Sequence, residues 1–289
     1  EEVVVTAQIR EQSLQDVPIS VSAVDGEIIE DRSVDNLQSL SASVPNFYVA
    51  ETQIDTSISI RGVRSGANKG FEQSVPLNFD GITYPRSQLA RTPLVDLERI
   101  EVLRGPQPTL FGKNAIGGVV SVTSAKPTEE FEGKFSTSHE SEHDESQSLL
   151  VLSGPLSENL LGRLTVSTRE MDGWITNEKM KRLEPQRDET YIRGQLAWTS
   201  GNVDWNLKVE SADFDSVGYA MEALAPQDGY SLVFAGPIAV ETTENWVRSS
   251  GETFSQNTMD NFVLTSNYPM ENGGTLTTIL GHVEYDSYE

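Results

Sequence analysis

Residues 96–127 read DLERIEVLRGPQPTLFGKNAIGGVVSVTSAKP, and this stretch decides the fold. Apolar and polar residues alternate along Arg99–Arg104, which predicts a half-buried β-strand that Gly105 and Pro106 bring to an end. A loop punctuated by glycine follows, and Val119–Thr123 has the composition of a second strand. The stretch therefore predicts two strands joined by a glycine-rich loop.

This two-strand unit resembles the core of the plug domain of TonB-dependent outer-membrane receptors along the whole of residues 96–127. The resemblance implies a small mixed α/β plug domain followed by antiparallel transmembrane β-barrel strands. In that family the plug lies inside the lumen of a barrel of 22 strands. It also implies a cell outer membrane location, with a multi-pass β-barrel in a Gram-negative envelope.

Composition limits the other classes of protein. No apolar run approaches the roughly 18 residues that a membrane-spanning helix needs, so any spanning part must be a closed barrel. The absence of cysteine excludes a disulfide scaffold, a thiolate zinc site and a cysteine nucleophile. No charged and apolar leader opens the sequence, so we expect any export signal to have been removed.

The formal net charge of −23 is unevenly distributed. Residues 1–127 contribute −5 and residues 128–289 contribute −18. Nucleic-acid-binding proteins need a basic surface, so that class of partner is disfavoured. The acidic surface suits either solubility or the attraction of cationic ligands, and it argues mildly against a strongly anionic ligand.

The first part of the chain has the short, varied elements of a compact α/β domain. We expect a flexible segment at 1–17, a plug domain at 18–127 and a barrel portion at 128–289. The plug elements predicted are strands at Pro18–Val24, Phe47–Ala50 and Ser57–Arg61, helices at Asp25–Asp31 and at Val34–Leu40 with Ser33 as its N-cap, and a hairpin at Asn78–Thr83 with Asp80-Gly81 at its tip.

After residue 127 the alternation becomes longer, with one apolar face and one polar face. The segment Val203–Glu210 shows this period most clearly. Seven strands are predicted, near 131–138, 147–153, 163–169, 190–199, 203–211, 261–268 and 275–285. A soluble sandwich has the same period, but the connections here alternate between short and long, which is typical of outer-membrane barrels. Seven strands are too few to enclose a plug, so we interpret the chain as the N-terminal part of a longer receptor.

The N-terminal segment contains a stretch that resembles a TonB box, formed by Glu2, Val3, Val4, Val5, Thr6 and Ala7. A short β-branched segment of this kind can add as a strand to the sheet edge of another protein. The resemblance implies that the partner is the C-terminal domain of TonB. An ordinary first strand of the plug is the alternative.

Two arginines in predicted plug strands are candidates for a contact between the plug and the barrel. The resemblance implies that Arg61 and Arg104 lie against the barrel wall and pair with glutamates beyond residue 289, with Glu101 in the same network. A buried charge needs such partners, because an unpaired one is costly. A solvated arginine on a strand face is the alternative.

Two turn-rich segments, 64–74 and 85–93, are expected to form the outward tips of the plug. Loops on a rigid scaffold suit recognition, and in the family such tips share ligand binding with the outer loops. The candidate ligand-binding residues are Arg64, Asn68, Lys69, Arg86, Gln88 and Arg91. Plain surface loops are the alternative.

The segment His139–His143 matches the pattern H-E-x-x-H of zinc proteases. That spacing works when a helix places both histidines on one face, with the glutamate as general base. The flanking residues predict a strand and a turn, and His282 is the only further histidine. We therefore predict an acidic outer loop and no metal or cofactor, with weak cation binding or a secreted zinc hydrolase as alternatives.

The resemblance implies a transporter and not an enzyme. Such a receptor binds a scarce nutrient at the cell surface and imports it with energy delivered through TonB. A ferric siderophore is the expected ligand, ahead of cobalamin, haem or an oligosaccharide, and the other partners are TonB and outer-membrane lipid. A passive porin or an adhesin with a folded N-terminal domain is the rival, and it would have no use for the TonB-box segment.

Overall fold

A computed structural model of the chain describes residues 4–5, 12–13, 15, 17–32, 34, 36–51, 56–65, 72–84, 86–218, 247–248 and 251–289. These residues form a mixed α/β plug and a sheet of seven long strands, called the wall, that packs against it. Within this part of the chain, no helix has both the length and the apolar character needed to cross a membrane.

The plug is built on a five-stranded sheet and a three-stranded sheet with short helices at their edges. Its elements are β1 (Val4–Val5), β2 (Gln12–Ser13), β3 (Ser20–Asp25), α1 (Gly26–Asp31), α2 (Leu37–Ser41), β4 (Phe47–Glu51), β5 (Thr56–Ile60), β6 (Val63–Arg64), β7 (Leu77–Phe79), β8 (Ile82–Tyr84), a 3-10 helix (Ser87–Arg91), β9 (Leu97–Arg104), α3 (Pro108–Phe111) and β10 (Gly118–Ser124). The larger sheet has the order β3-β9-β10-β7-β8, and the smaller one has the order β4-β5-β6.

The two strands predicted from residues 96–127 are confirmed as β9 and β10, which pair antiparallel at the centre of the larger sheet. Gly118, at the start of β10, has a φ of 150°, and a Cβ there would lie 2.2 Å from the carbonyl oxygen of Leu103. No other residue fits this close approach of two backbones. The glycine-rich loop is therefore a steric requirement of the strand pairing.

Side chains cap the first two plug helices. Asp25, predicted as the first residue of α1, instead caps this helix by accepting a hydrogen bond from the Ile28 amide at 2.8 Å. The predicted start of α2 at Val34 is wrong by three residues, because Asn36 and Ser39 form a capping box that begins the helix at Leu37. Ser33, the predicted cap, lies outside the described residues.

The wall contains the seven strands that the alternating pattern predicts. From residue 128 onward the strands are β11 (Glu132–Glu140), β12 (Glu145–Ser157), β13 (Leu160–Met171), β14 (Ile175–Asn177), β15 (Arg182–Glu184), β16 (Gln186–Ser200), β17 (Val203–Val217), β18 (Val247–Arg248), β19 (Phe254–Pro269) and β20 (Thr275–Tyr288). The wall is antiparallel with the order β11-β12-β13-β16-β17-β19-β20, and β15-β14-β18 form a small separate sheet.

The links between wall strands alternate between two ends of the sheet. The turns 158–159, 201–202 and 270–274 lie at one end, and the links 141–144, 172–185 and 218–253 lie at the other. The predicted alternation of short and long links is therefore confirmed for five of the six links, but it is wrong at 141–144, a four-residue turn that is shorter than 270–274 at the opposite end. This arrangement is typical of barrels with short turns on one side of the membrane.

The two faces of the wall differ in polarity. Thr165, Arg193 and Lys208 are buried on the face that meets the plug, while Leu164 and Ile192 are exposed on the opposite face. Transmembrane barrels show this pattern, with a polar lumen and an apolar surface toward lipid. The predicted division of the wall strands into one apolar and one polar face is confirmed.

Plug and wall share one hydrophobic core. Its plug part centres on fully buried Ile100, Val102 and Phe79. Tyr191 and Met259 of the wall belong to the same cluster of buried side chains. Burial of a large apolar side chain stabilises a fold by about 1.5–3 kcal/mol. The apolar contacts between plug and wall therefore contribute substantially to the stability of their association.

Candidate functional site

The plug presents its polar groups to the wall at one end of its larger sheet. Asp80 follows β7, Asp96 precedes β9, and Ser124 ends β10. These positions share one end of the sheet, because β10 runs parallel to β7 and antiparallel to β9. Asp80 accepts hydrogen bonds from the amide and the hydroxyl of Ser124, at 2.8 and 2.7 Å. The three residues thus form a small polar patch at this end of the plug sheet.

Both aspartates have a left-handed backbone conformation. The φ angle is 49° at Asp80 and 52° at Asp96. Aspartate and asparagine tolerate this region better than most residues. The hairpin turn at Asp80-Gly81, with Gly81 at a φ of 85°, confirms the predicted tip.

Arg193 of β16 is the central wall residue of the contact, and its side chain is fully buried. Its Nη2 atom lies 2.9 Å from Oδ2 of Asp96 and also donates to the carbonyl oxygens of Val95 and Asp96. Its Nη1 atom donates to Ser124 Oγ at 3.1 Å and to the Tyr191 hydroxyl at 3.3 Å. One guanidinium therefore holds the turn before β9 and the end of β10.

Asp96 has further partners on β13. Nε of Arg163 donates to its Oδ2 at 2.9 Å, and Thr165 Oγ1 donates to the same oxygen. Burial by itself would raise the pKa of Asp96, but the hydrogen bond from Arg163 and the nearby charge of Arg193 outweigh it. The pKa of Asp96 therefore lies below its ordinary value of 3.8, and the group is a carboxylate at neutral pH.

Lys208 of β17 makes the second ionic contact. Its ammonium lies 2.6 Å from Oδ2 of Asp80, 3.0 Å from Oε1 of Glu210 and 4.6 Å from the centre of the Phe79 ring. Burial opposes ionisation of Asp80, but the charge of Lys208 and its hydrogen bond reverse the effect, so the pKa of Asp80 is also lowered. Asp80 is therefore ionised at neutral pH and pairs with Lys208 as a carboxylate.

These contacts close into a cycle that we call the plug–wall ring. Its members, in order, are Arg193, Ser124, Asp80, Lys208, Glu210 and Tyr191. The Tyr191 hydroxyl closes the cycle, because it donates to Glu210 and accepts from Arg193. With the adjoining Asp96 and Arg163, three cations face three carboxylates. Buried charges are tolerated when they are paired and hydrogen-bonded in this way. The ring is therefore an electrically balanced joint between plug and wall.

Asn261 extends the ring toward β19. Its Nδ2 atom donates to Oε1 of Glu210 and, at 2.8 Å, to the hydroxyl of Tyr84 on plug strand β8. Burial raises the pKa of the Tyr84 phenol, with the charge of Glu210 as a further cause. Tyr84 is therefore a neutral phenol in this contact.

Reciprocal packing beside the ring fits the plug hairpin to β20. A Cβ on Gly81 would lie 2.5 Å from Cδ1 of Ile279, and a Cβ on Gly281 would lie 2.3 Å from Cδ1 of Ile82. Each isoleucine thus fills the space that the opposite glycine leaves. The plug–wall contact is therefore specified by shape as well as by charge.

The predicted TonB box is described only in part. Val4 and Val5 form β1, which pairs antiparallel with Gln12 and Ser13 of β2. Glu2, Val3, Thr6 and Ala7 lie outside the described residues. The role of this segment therefore stays a prediction.

The predicted lock residues lie away from the ring. Arg61 is an exposed turn residue with a φ of 51°. Arg104, at the opposite end of β9 from Asp96, donates to Ser22 Oγ of the plug, and buried Glu101 accepts from Arg99 Nε at 2.9 Å. Pairing of these residues with glutamates beyond residue 289 stays a prediction.

The predicted ligand-binding residues fall into two groups. Arg64 and Arg86 are exposed, whereas Arg91 donates to Ser216 Oγ at 3.2 Å and lies 5.8 Å from the Phe214 ring of the wall. Asn68 and Lys69 lie outside the described residues, as does the side chain of Gln88 in the 3-10 helix. A shared ligand site at these positions stays a prediction.

The histidine pattern lies at a strand end, as predicted. His139 and Glu140 end β11, and His143 lies in the turn that follows, with Nδ1 2.9 Å from Glu140 Oε2 and its ring 5.0 Å from that of Trp174. Both histidines therefore lack the common helix face that a zinc protease needs. The described ranges contain no group of three or more such side chains placed to hold a metal ion.

Sequence reasoning missed the ring. The polar-face pattern places Arg163, Arg193 and Lys208 on the lumen side of the wall, but it gives no partner for them. The lock was predicted with cations on the plug and carboxylates on the wall. The ring has the reverse arrangement, because Asp80 and Asp96 belong to the plug.

A mixed α/β plug joined through a buried polar ring to the polar face of an antiparallel wall is the arrangement expected of part of a plugged β-barrel. Residues 13–119 match the family described as TonB-dependent Receptor Plug Domain. The chain is 33% identical over 185 residues to the iron-regulated outer membrane virulence protein of Vibrio cholerae, which covers 60% of the chain. It is 30% identical over 218 residues, or 73% of the chain, to the pesticin receptor of Yersinia enterocolitica. The chain belongs to the TonB-dependent receptor family.

The fold agrees with solved receptors. The crystal structure of the ferric yersiniabactin uptake receptor from Yersinia pestis superposes with a TM-score of 0.73 at 20% identity, covering 92% of this chain and 41% of that one. The chain spans 28% of the length of the Vibrio protein and 31% of that of the pesticin receptor. Plug and wall therefore correspond to part of these larger proteins.

Proposed function

We propose that this chain is the plug, at 18–127, and the N-terminal barrel portion, at 128–289, of an outer-membrane receptor that imports a ferric siderophore with energy delivered through TonB. The observation that carries the proposal is the plug seated on the polar face of the wall by the buried ring. The activity is inferred from the family, which consists of receptors and transporters. The proposed transport requires no chemical change of the ligand.

The two faces of the wall suit a location in the outer membrane. The outward face exposes Phe135, Leu152, Ile192 and Phe262, which lipid can cover. The plug packs against the inward face, and in the complete barrel that we propose it would close the lumen at rest. Passage of a ligand then requires part of the plug to move, which distinguishes this receptor from a passive porin.

The iron-related ligand is inferred from the relatives. One is named as iron-regulated and a structural neighbour as a ferric yersiniabactin uptake receptor. The exposed tip residues Arg64 and Arg86 supply positive charge at the plug surface. Cationic side chains suit the anionic oxygens of a ferric chelate.

The N-terminal segment supports coupling to TonB. Strand β1 consists of Val4 and Val5, and among the described residues it pairs with Gln12 and Ser13 of β2. An isolated two-stranded pairing is marginally stable in water, so this segment can exchange its partner for the sheet edge of TonB. Ligand binding at the tips would shift the population toward the exposed segment.

Uptake of radioactive iron by cells that depend on this receptor tests the proposal. Several ferric chelates are offered, with and without a proton uncoupler, to a wild-type receptor and to one that lacks residues 2–7. We expect one chelate to be imported in an uncoupler-sensitive manner, and the deletion to abolish uptake while surface binding at low temperature persists. Uptake that survives the deletion would refute coupling through this segment, and uptake insensitive to the uncoupler would favour the porin.

A further inference from the structure

All six basic residues on the seven wall strands lie on the inward face. They are Lys134, Arg163, Arg169, Arg187, Arg193 and Lys208. Strand registers place Lys134 and Arg193 in one row across the inward face, and Arg163 and Lys208 in the adjacent row. Exposed carboxylates such as Glu170, Asp188 and Asp260 occupy the outward face. The charge on the inward face of the wall therefore differs from the negative net charge of the whole chain.

The inward cations are neutralised in two ways. Arg169 pairs with Glu145 at 2.7 Å and lies 3.9 Å from Glu189, and both carboxylates belong to the wall. Arg163 and Arg193 pair instead with Asp96 of the plug.

Lys208 likewise depends on the plug through Asp80. Among the described wall residues, Glu210 is the one carboxylate that is hydrogen-bonded in the ring, since Glu132 lies 3.9 Å from Arg163 and is largely exposed. Without the two plug carboxylates, three cations, Arg163, Arg193 and Lys208, would face one hydrogen-bonded wall carboxylate, Glu210. The wall would then carry a surplus of two positive charges at this level.

A buried ionic contact is strongly destabilised when one partner leaves, because the remaining charge has no counterpart. Movement of Asp80 and Asp96 is therefore opposed unless water or another anion takes their place. An anion bound to Arg163, Arg193 and Lys208 would lower the free energy of the open state relative to the closed state.

We propose that these three residues form a masked anion site, occupied by plug carboxylates at rest and by the anionic oxygens of a passing chelate during transport. The inference rests on the proposed function for its ligand, a ferric complex with carboxylate, catecholate or hydroxamate oxygens. Guanidinium groups match such oxygens in geometry and charge. The site selects anionic ligands at the stage of passage, after recognition at the tips.

Space for such a ligand adjoins the site. A cavity of about 480 Å³ lies between plug and wall, and Asp80, Lys208 and Lys126 are among its lining residues. Asn206 and Asn267 line it near the short-turn end of the wall. The volume is in the range of small-molecule sites, so an anion displaced from the ring has a polar space in the direction of the short turns.

Citrate provides a probe that needs neither TonB nor a siderophore. The purified receptor is placed in a planar bilayer, and the plug is loosened with urea at a concentration just below spontaneous opening. The rate at which ion-conducting openings begin is measured in potassium chloride and in potassium citrate of equal ionic strength. We expect citrate to raise this rate by about threefold or more, since it binds the open state preferentially.

A charge-matched variant isolates the site. Lys208→Gln combined with Asp80→Asn removes one charge of each sign, and asparagine tolerates the positive φ of residue 80. This variant should stay closed at rest and open in urea, but lose most of the citrate effect. Lys179→Gln, at an exposed position in an outer loop, removes one positive charge outside the lumen and should keep the effect in full.

An equal citrate effect in wild type and in the charge-matched variant would overturn the proposal, as would no citrate effect in the wild type. If the variant conducts at rest, Arg163→Gln with Asp96→Asn decides the question by the same criterion. Since these outcomes do not depend on uptake, a failure of the anion site is distinguishable from a failure of the transport function.

Discussion

Replacement of Arg193 by methionine should loosen the plug more than any other single change in the wall. Methionine fills a similar apolar volume but removes the hydrogen bonds to Asp96, Val95, Ser124 and Tyr191. The neighbouring Arg163 still contacts Asp96, so one of the two cationic partners of that carboxylate is retained. The substitution therefore opens the ring without leaving Asp96 entirely unpaired.

The expected loss follows from the burial of both partners. The side chains of Arg193 and Asp96 are 0% and 4% exposed, so solvent does not screen the interaction. Loss of one partner from a buried pair costs about 3–5 kcal/mol, and the Arg163 contact places Arg193→Met toward the lower end. In the double variant Arg193→Met with Asp96→Asn, the loss should be smaller than the sum of the two single losses by about 1–3 kcal/mol, because the two side chains interact directly.

Hydrogen exchange of the backbone amides in β9 and β10 measures this effect directly. These central plug strands should open by a free energy that is lower by the stated amount in Arg193→Met, and the losses in the two single variants should not add up fully in the double variant. Arg182→Met removes an arginine paired with Glu184 outside the plug–wall contact, and serves as the control. Unchanged exchange in Arg193→Met would refute the structural role of the ring.

Three further changes test other parts of the structure. The pKa values of Asp80 and Asp96 lie below 3.8 in the folded protein. The stability that the two carboxylates contribute should therefore be complete above pH 3.8 and be lost as the pH falls through the lowered pKa values. Hydrogen exchange of the plug amides at successive pH values measures this loss. Gly118→Ala should destabilise the plug by at least about 1–3 kcal/mol, seen as lower thermal stability, because its φ and the nearby Leu103 carbonyl exclude a Cβ. Asp25→Ala should cost about 1 kcal/mol through loss of the α1 cap, and Asp25→Asn should restore most of it in the same melting experiment.

Local signals in the sequence were sufficient for the wall and for the centre of the plug. Alternation along each wall strand predicts which side chains face inward, and the turn residues between strands predict the order of pairing. The error at α2 has a local cause as well, since Asn36 and Ser39 form a capping box that begins the helix at Leu37. A search for capping pairs would have found the correct start.

The ring could not be predicted because its contacts are distant in sequence. Arg193 and Asp96 are 97 positions apart, and Lys208 and Asp80 are 128 positions apart. Periodicity identifies the face on which a charge lies, but not the charge that meets it from another domain. The family resemblance directed attention to plug arginines, whereas the buried ionic contacts between plug and wall in the described residues involve plug aspartates.

The inward position of the wall cations also bears on how the strands find their pairing during assembly. A slip of one residue in β13, β16 or β17 would exchange the two faces of that strand. Arg163, Arg193 or Lys208 would then point into hydrocarbon, at a cost of about 2–4 kcal/mol for each residue near the middle of the bilayer. The residues that receive the plug in the finished receptor thus penalise misaligned strands before any plug is in place.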